Sequence, residues 1–131
     1  MPLPPTPGPD TITLPAGVYS LDLQDGDDKL TFTGAARATV LGGDGNDFIG
    51  FGTSGSNVPG LASIDLGAGN DAVFFFSAST ATVFGGDGND VIYGGHGTNF
   101  IQGNQGDDVI GFVGDGSNTV YGGQGNDAVY G

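Results

Sequence analysis

The chain has 131 residues and a formal net charge of −13, from fifteen acidic and two basic side chains. This length fits one domain, and the absence of cysteine excludes disulfides, thiolate metal sites and a cysteine nucleophile. Such an acidic surface repels nucleic acid and anionic lipid. Because a compact state of this charge also repels itself, we expect specifically bound divalent cations to neutralise it.

The first nine residues, MPLPPTPGP, are rich in proline. They contain no basic patch and no apolar run, so we expect them to be neither a secretory signal peptide nor a membrane span. We expect residues 1–9 to be an extended arm or linker that precedes one domain over residues 10–131.

An internal repeat runs through the rest of the chain. It is clearest in ATVLGGDGND (38–47), ATVFGGDGND (81–90) and NTVYGGQGND (118–127). Successive acids at its end are separated by 18, 19, 24, 19, 18 and 19 residues, so one coil spans 18 or 19 residues. The longer step predicts an inserted loop around 51–60, with about five extra residues. The acids are Asp10, Asp28, Asp47, Asp71, Asp90, Asp108 and Asp127.

Each coil carries two aliphatic positions, one two residues after the acid and one about halfway round. The spacing near nine, together with frequent glycine, disfavours helix. Two short strands of about three residues per coil, stacked at roughly 4.8 Å, would form two parallel sheets. We therefore predict an all-β solenoid of about six to seven coils. The two series are Ile12, Leu30, Ile49, Val73, Ile92, Ile110 and Val129, and Leu21, Val40, Ile64, Val83, Ile101 and Val120.

The glycine-rich runs fit the nine-residue pattern GGxGxDxUx, in which U is a large aliphatic residue. The runs at 42–50, 85–93 and 122–130 match it in full, and GNQGDDVIG (103–111) departs at one glycine. Over nearly its whole length the chain resembles the RTX (repeats in toxin) family of calcium-binding β-rolls. The resemblance implies a right-handed parallel β-roll, Ca²⁺ as the cofactor, and type I secretion followed by folding outside the cell.

Elementary chemistry explains why these residue types suit calcium. Glycine permits positive φ, so a turn can direct its carbonyl oxygens inward. Calcium takes six to eight oxygens at about 2.3–2.6 Å, which two stacked turns with one carboxylate each would supply. We expect about four to six ions. The turns ending at Asp10 and Asp28 lack paired glycines, so the best sites should involve the five later acids.

The candidate metal residues form one edge of the predicted roll, with one further pair on the other edge. They are Asp10, Asp28, Gly42, Gly43, Asp44, Gly45, Asp47, Gly69, Asp71, Gly85, Gly86, Asp87, Gly88, Asp90, Gly103, Gly106, Asp108, Gly122, Gly123, Gly125 and Asp127, with Asn99 and Asn118 opposite.

The opposite edge departs from the family pattern. Ala38, Ala62 and Ala81 stand where the pattern has an acid, and alanine supplies no ligand. Asn99 and Asn118 follow at the same position. Their amide oxygens would either bind metal or cap the turn through local hydrogen bonds.

Several side chains are predicted to face outward. The aromatic ones form either a contact face for another chain or ordinary cross-strand packing. Thr39, Thr82 and Thr119 form a partial rank of the kind an ice-binding sheet would use, interrupted by Ser63 and Phe100. The predicted outward aromatics are Phe48, Phe74, Phe75, Phe76, Phe84, Tyr93, Phe100, Tyr121 and Tyr130.

The sequence contains no recognisable set of catalytic residues. The single histidine, His96, is predicted to lie on the surface in a turn. The leading hypothesis is an extracellular calcium-responsive structural or assembly module. Because the sequence stops in the middle of a coil, we expect either an excerpt of a larger protein or end-to-end stacking of copies into a filament. The alternatives are an accessory folding module of a secreted enzyme or toxin, and an adhesion, carbohydrate-binding or ice-binding sheet.

Overall fold

The structure is a computed structural model that describes residues 4–52, 60–76, 79–112 and 114–131. Every regular element in these ranges is a β-strand, and the thirteen strands form one seven-stranded and one six-stranded sheet. All strand pairs are parallel. The predicted all-β parallel solenoid is confirmed. No helix in the described ranges is long and apolar enough to cross a membrane.

Successive strands alternate between the two sheets, so each coil contributes one strand to each sheet. The seven-stranded sheet contains β1 (Thr11–Leu14), β3 (Lys29–Phe32), β5 (Phe48–Phe51), β7 (Ala72–Phe75), β9 (Val91–Gly94), β11 (Val109–Phe112) and β13 (Ala128–Tyr130). The six-stranded sheet contains β2 (Gly17–Asp22), β4 (Ala36–Asp44), β6 (Gly60–Ala68), β8 (Ser79–Asp87), β10 (Asn99–Gln105) and β12 (Asn118–Gln124).

Both aliphatic ladders lie in the predicted register. Ile49 pairs with Val73 and Val73 with Ile92 in one sheet, and the second series is aligned in the same way in the other sheet. The central members of both ladders are fully or almost fully buried. Because a shift of one residue would turn every such side chain to the other face of its sheet, these ladders fix the register.

Strands of the six-stranded sheet are longer than expected. They reach nine residues in β4, β6 and β8, whereas those of the other sheet have three or four, close to the prediction. The extra length arises because pairing continues into the glycine-rich run, where Gly43 pairs with Gly67 and Asp44 with Ala68.

An aromatic stack lies inside the roll, at the C-terminal ends of three neighbouring strands of the seven-stranded sheet. The rings of Phe32 and Phe51 lie 4.4 Å apart between centroids, and those of Phe51 and Phe75 lie 4.8 Å apart. All three side chains are buried. The expectation that Phe75 faces outward is wrong, because it lies two residues beyond the inward Val73 and strand side chains alternate between faces.

A second stack covers the outer face of the same sheet. Phe74 lies 5.6 Å from Phe48 and 5.4 Å from Tyr93, measured between ring centroids. All three side chains are half-buried. These outward aromatics therefore pack against one another across neighbouring strands, which was one of the two predicted roles.

The predicted inserted loop and arm lie partly outside the described residues, which omit 1–3 and 53–59. Strands β5 and β6, on either side of the loop, keep their places in the two sheets. The described part of the arm contacts the first glycine-rich turn, where Gln24 Nε2 donates a hydrogen bond to the Pro5 carbonyl at 2.6 Å.

Adjacent residues of β6 provide a matched test of the core. We expect Ile64→Ala to lower the free energy of unfolding by about 2–5 kcal/mol, because it deletes a buried ladder side chain. Ser63→Ala, on the exposed face of the same strand, should change it by less than about 0.5 kcal/mol. Chemical unfolding of both variants in saturating calcium measures the difference. Equal effects would contradict the assignment of faces.

Candidate metal centre

The glycine-rich turns share one backbone geometry. We number the run GGxGxD as motif positions one to six, with the acid at six. At position four all six runs ending between Asp28 and Asp127 have glycine, with φ between +124° and +143°. This region is strained for residues with a Cβ. At position two, glycine gives way to Gln24 (φ +73°) and Asn104 (φ +82°). Asn tolerates the left-handed region, so the run that departs from the pattern at Asn104 keeps the turn.

The position-six aspartates form a continuous hydrogen-bonded column. The main-chain N–H of each, except that of the last member, donates to Oδ1 of the aspartate in the following coil, with N···O distances of 2.6–3.0 Å. The predicted column of acids is thus brought together on one edge. Its members in order are Asp10, Asp28, Asp47, Asp71, Asp90, Asp108 and Asp127.

The second oxygen of these carboxylates has a different environment. Oδ2 is buried without a hydrogen-bond partner in Asp28, Asp47, Asp71, Asp90 and Asp108. Each of these residues is at most 2% exposed. A buried charged oxygen without a compensating donor or cation is costly. The column therefore needs either protons or positive charge.

The glycines at position one let these oxygens approach the backbone closely, because a side chain there would collide with them. A Cβ on Gly42 would lie 2.7 Å from Asp47 Oδ2 and would collide with the Leu66 carbonyl of the next coil. A Cβ on Gly85 would likewise meet Asp90 Oδ2 and the Gly103 carbonyl.

Gly103 repeats the arrangement with Asp108 Oδ2 and the Gly122 carbonyl. A carboxylate oxygen and a carbonyl oxygen from the next coil therefore converge at three turns. Such hard oxygens are the ligands that calcium prefers.

Burial and mutual repulsion raise the pKa values of the column. Desolvation raises the pKa of Asp71 to about 7; the hydrogen bond from Asp47 N–H opposes this rise, and the carboxylates of Asp90 and Asp47 add to it. Desolvation likewise raises the pKa values of Asp47 and Asp90 to about 6, and those of Asp28 and Asp108 also rise. The charged column is therefore disfavoured in the absence of metal.

No group of three His, Cys, Asp or Glu side chains gathers at one point in the described ranges. Any cation on this edge must accordingly be held by carboxylates of stacked turns together with main-chain carbonyls. This donor set suits a hard cation such as calcium and lacks the nitrogen and sulfur ligands typical of zinc. A bound cation would supply the positive charge that the buried Oδ2 atoms lack.

The HemolysinCabind family model, described as the RTX calcium-binding nonapeptide repeat, matches residues 79–110 and 112–131 in four copies. The matched residues carry RTX calcium-binding repeats. These repeats bind Ca²⁺, in agreement with the oxygen-rich turns and with the cofactor expected from the sequence. Comparisons with curated proteins and with solved structures gave no match.

The acids at position three point away from the column. Asp25, Asp44 and Asp87 are exposed. The carbonyl of Asp44 accepts a hydrogen bond from Gly26 N–H at 2.7 Å, and that of Asp87 accepts one from Gly69 N–H at 2.8 Å. These carbonyls thus take part in coil-to-coil pairing, and metal ligation by Asp44 or Asp87 stays a prediction.

The ends of the column differ from its centre. Asp10 is half-buried, and its Oδ1 accepts a hydrogen bond from Thr6 Oγ1 at 3.0 Å. Asp127 is also half-buried. Their assignment as ligands stays a prediction.

On the opposite edge, Asn99 acts as a turn cap. Its Nδ2 donates to the carbonyls of Gly95 and Gly97 at 3.2 and 3.3 Å, and to Asn118 Oδ1 at 2.8 Å. This is the local bonding that the sequence offered as the alternative to metal. Asn99 Oδ1 is buried without a partner, and a metal role for Asn99 and Asn118 stays a prediction.

Sequence reasoning missed a second ladder, at position five. There the N–H of Asn70 donates to Asn46 Oδ1, and that of Asn89 to Asn70 Oδ1, both at 2.8 Å. Each bond runs from one coil to the preceding coil, opposite in direction to the aspartate column. The signal in the sequence was Asn or Asp directly before each acid from Asp28 to Asp127. The members are Asp27, Asn46, Asn70, Asn89, Asp107 and Asn126.

The raised pKa values predict how the metal-free protein responds to pH. The pKa values of Asp47, Asp71 and Asp90 are about 6 to 7 in the fold, against an ordinary value of 3.8. The fold therefore holds protons that the unfolded chain releases, so stability is lost as pH rises from about 4 to 7. Metal-stripped protein should show more β-structure by circular dichroism at pH 5 than at pH 8.

The triple variant Asp47→Asn, Asp71→Asn, Asp90→Asn is the control, because Asn keeps the Oδ1 acceptor and loses the charge. Its circular dichroism should depend less on pH than that of the wild type. A metal-free wild-type protein that is more ordered at pH 8 than at pH 5 would contradict the account.

Proposed function

We propose that this chain is a calcium-dependent structural module whose coils close when calcium occupies the aspartate edge. The observation that carries the proposal is the set of five buried Oδ2 atoms without hydrogen-bond partners, stacked on successive coils. The match to RTX calcium-binding repeats supports calcium as the cation.

The physical argument is one of charge. Neighbouring carboxylates of the column lie about one strand spacing apart, roughly 4.8 Å, and repel each other strongly where water is excluded. The whole chain adds a net charge of −13. Because the unfolded chain has no preformed site, the free energy of calcium binding would stabilise the fold.

We further propose that the module works outside the cell. Extracellular calcium modules bind calcium with dissociation constants of about 10⁻⁴–10⁻³ M, so the chain would stay unfolded where calcium is scarce and fold where it is abundant.

All the site residues serve turn geometry, coil-to-coil bonding or cation binding, and we assign the module no catalytic step. As part of a larger secreted protein it would act through the same folding transition.

We also propose that calcium-loaded chains associate with one another through their edge strands. Within the described residues β12 and β13 are edge strands of their sheets, and an open edge can pair with another strand. Sedimentation velocity with and without calcium tests this part. Growth of larger species only in calcium is expected, and a strictly monomeric calcium-loaded protein would contradict it.

Calcium titration followed by circular dichroism tests the main proposal. Metal-stripped protein at pH 7.5 should show little ordered β-structure, gain it as calcium is added, and lose it again with EGTA. Magnesium at equal concentration should substitute poorly, because it requires near-ideal octahedral geometry and keeps its waters.

The Asp47→Asn, Asp71→Asn, Asp90→Asn variant should need less calcium to become ordered but bind fewer ions. The proposal fails if the wild type keeps the same β signal and melting temperature in EGTA and in calcium.

A further inference from the structure

The turns of the aspartate edge are of two kinds. Position one is glycine in the runs ending at Asp47, Asp90, Asp108 and Asp127, but leucine in the runs ending at Asp28 and Asp71. The two leucines, Leu23 and Leu66, are fully buried members of the hydrophobic core. The repeat pattern in the sequence had predicted Asp71 to be part of one of the best calcium sites.

Position one faces the unpartnered carboxylate oxygen. A Cβ on Gly85 would meet both Asp90 Oδ2 and the Gly103 carbonyl. Leu66 occupies this position in the preceding coil, and like Gly85 it does not have a positive φ. Its Cβ therefore stands at the equivalent of the point on which the carboxylate oxygen and the next coil's carbonyl oxygen converge in the glycine turns.

Leu66 has opposite effects on the two neighbouring turns. Its carbonyl oxygen lies with Asp47 Oδ2 beside Gly42 and adds an oxygen to that turn. Its side chain brings hydrocarbon to the turn of its own acid, Asp71. Asp71 is as buried as the acids of the glycine turns and its Oδ2 likewise has no hydrogen-bond partner, but the side chain at position one of its turn is hydrocarbon and provides no ligand.

We infer that Leu23 and Leu66 are apolar plugs that interrupt the calcium column. Calcium then binds at the turns of Asp47, Asp90 and Asp108, where glycine lets a carbonyl oxygen of the next coil converge with the carboxylate oxygen, and is excluded from the turns of Asp28 and Asp71. This inference rests on the proposed function and specifies which of its sites bind. The Asp90 and Asp108 sites share the Gly103 turn, whereas the Leu66 plug separates them from Asp47.

Paired Asp→Asn variants test the pattern with little disturbance of the fold. Asn keeps Oδ1, which accepts the main-chain N–H of the preceding coil, and replaces Oδ2 with a group that does not bind calcium. Calcium bound per chain is counted by native mass spectrometry and equilibrium dialysis. Asp90→Asn should lose one ion relative to the wild type, and Asp71→Asn should lose none.

Removing the plug should create a site. Leu66→Gly is expected to bind one more ion than the wild type, and the double variant Leu66→Gly, Asp71→Asn should return to the wild-type count. Leu66→Ala is the matched control, because it removes most of the side chain but keeps the Cβ, and it should gain no ion. If Leu66→Gly does not fold, the Asp71→Asn and Asp90→Asn pair still decides.

The outcomes separate this inference from the proposed function. Loss of one ion in both Asp71→Asn and Asp90→Asn, or a folded Leu66→Gly with no extra ion, overturns the plug while leaving calcium-dependent folding intact. A wild-type chain that binds no calcium overturns both. One ion lost at Asp90, none at Asp71, and one gained in Leu66→Gly establish the pattern.

Discussion

The column of buried carboxylates at position six is the constraint on which the rest of the structure depends. One oxygen of each acid joins neighbouring coils by accepting a main-chain N–H, as Asp90 Oδ1 does from Asp71. The other oxygen is buried without a donor in the five central acids. The same side chain thus holds the coils together and makes their approach costly unless positive charge or protons arrive.

The core and the turns are coupled because they lie on the same coils. Strands of three to nine residues are marginal alone and gain stability only when stacked. The aliphatic ladders and the Phe32, Phe51 and Phe75 stack close when the coils approach, and that approach brings the carboxylates together. Apolar burial and charge repulsion therefore oppose each other along one axis, and we propose that cation binding decides between them.

Periodicity made the solenoid predictable. Once the coil length was known, the pairing of Ile49 with Val73 and Ile92 followed, because a parallel stack aligns equivalent positions. The acids of the candidate site were found in the same way. Less visible were features that depend on side-chain direction: Phe75 was assigned outward as part of an aromatic run, and Leu66 was assigned no role. Only the three-dimensional turn shows that position one faces the carboxylate and that Oδ1 and Oδ2 differ.

The most direct test of the central claim is an anomalous difference map from crystals grown in calcium. The account predicts peaks within about 2.3–2.6 Å of the Oδ2 atoms of Asp47, Asp90 and Asp108. Peaks only at the exposed acids Asp44 and Asp87, or an ordered solenoid without any calcium peak along the aspartate edge, would contradict it.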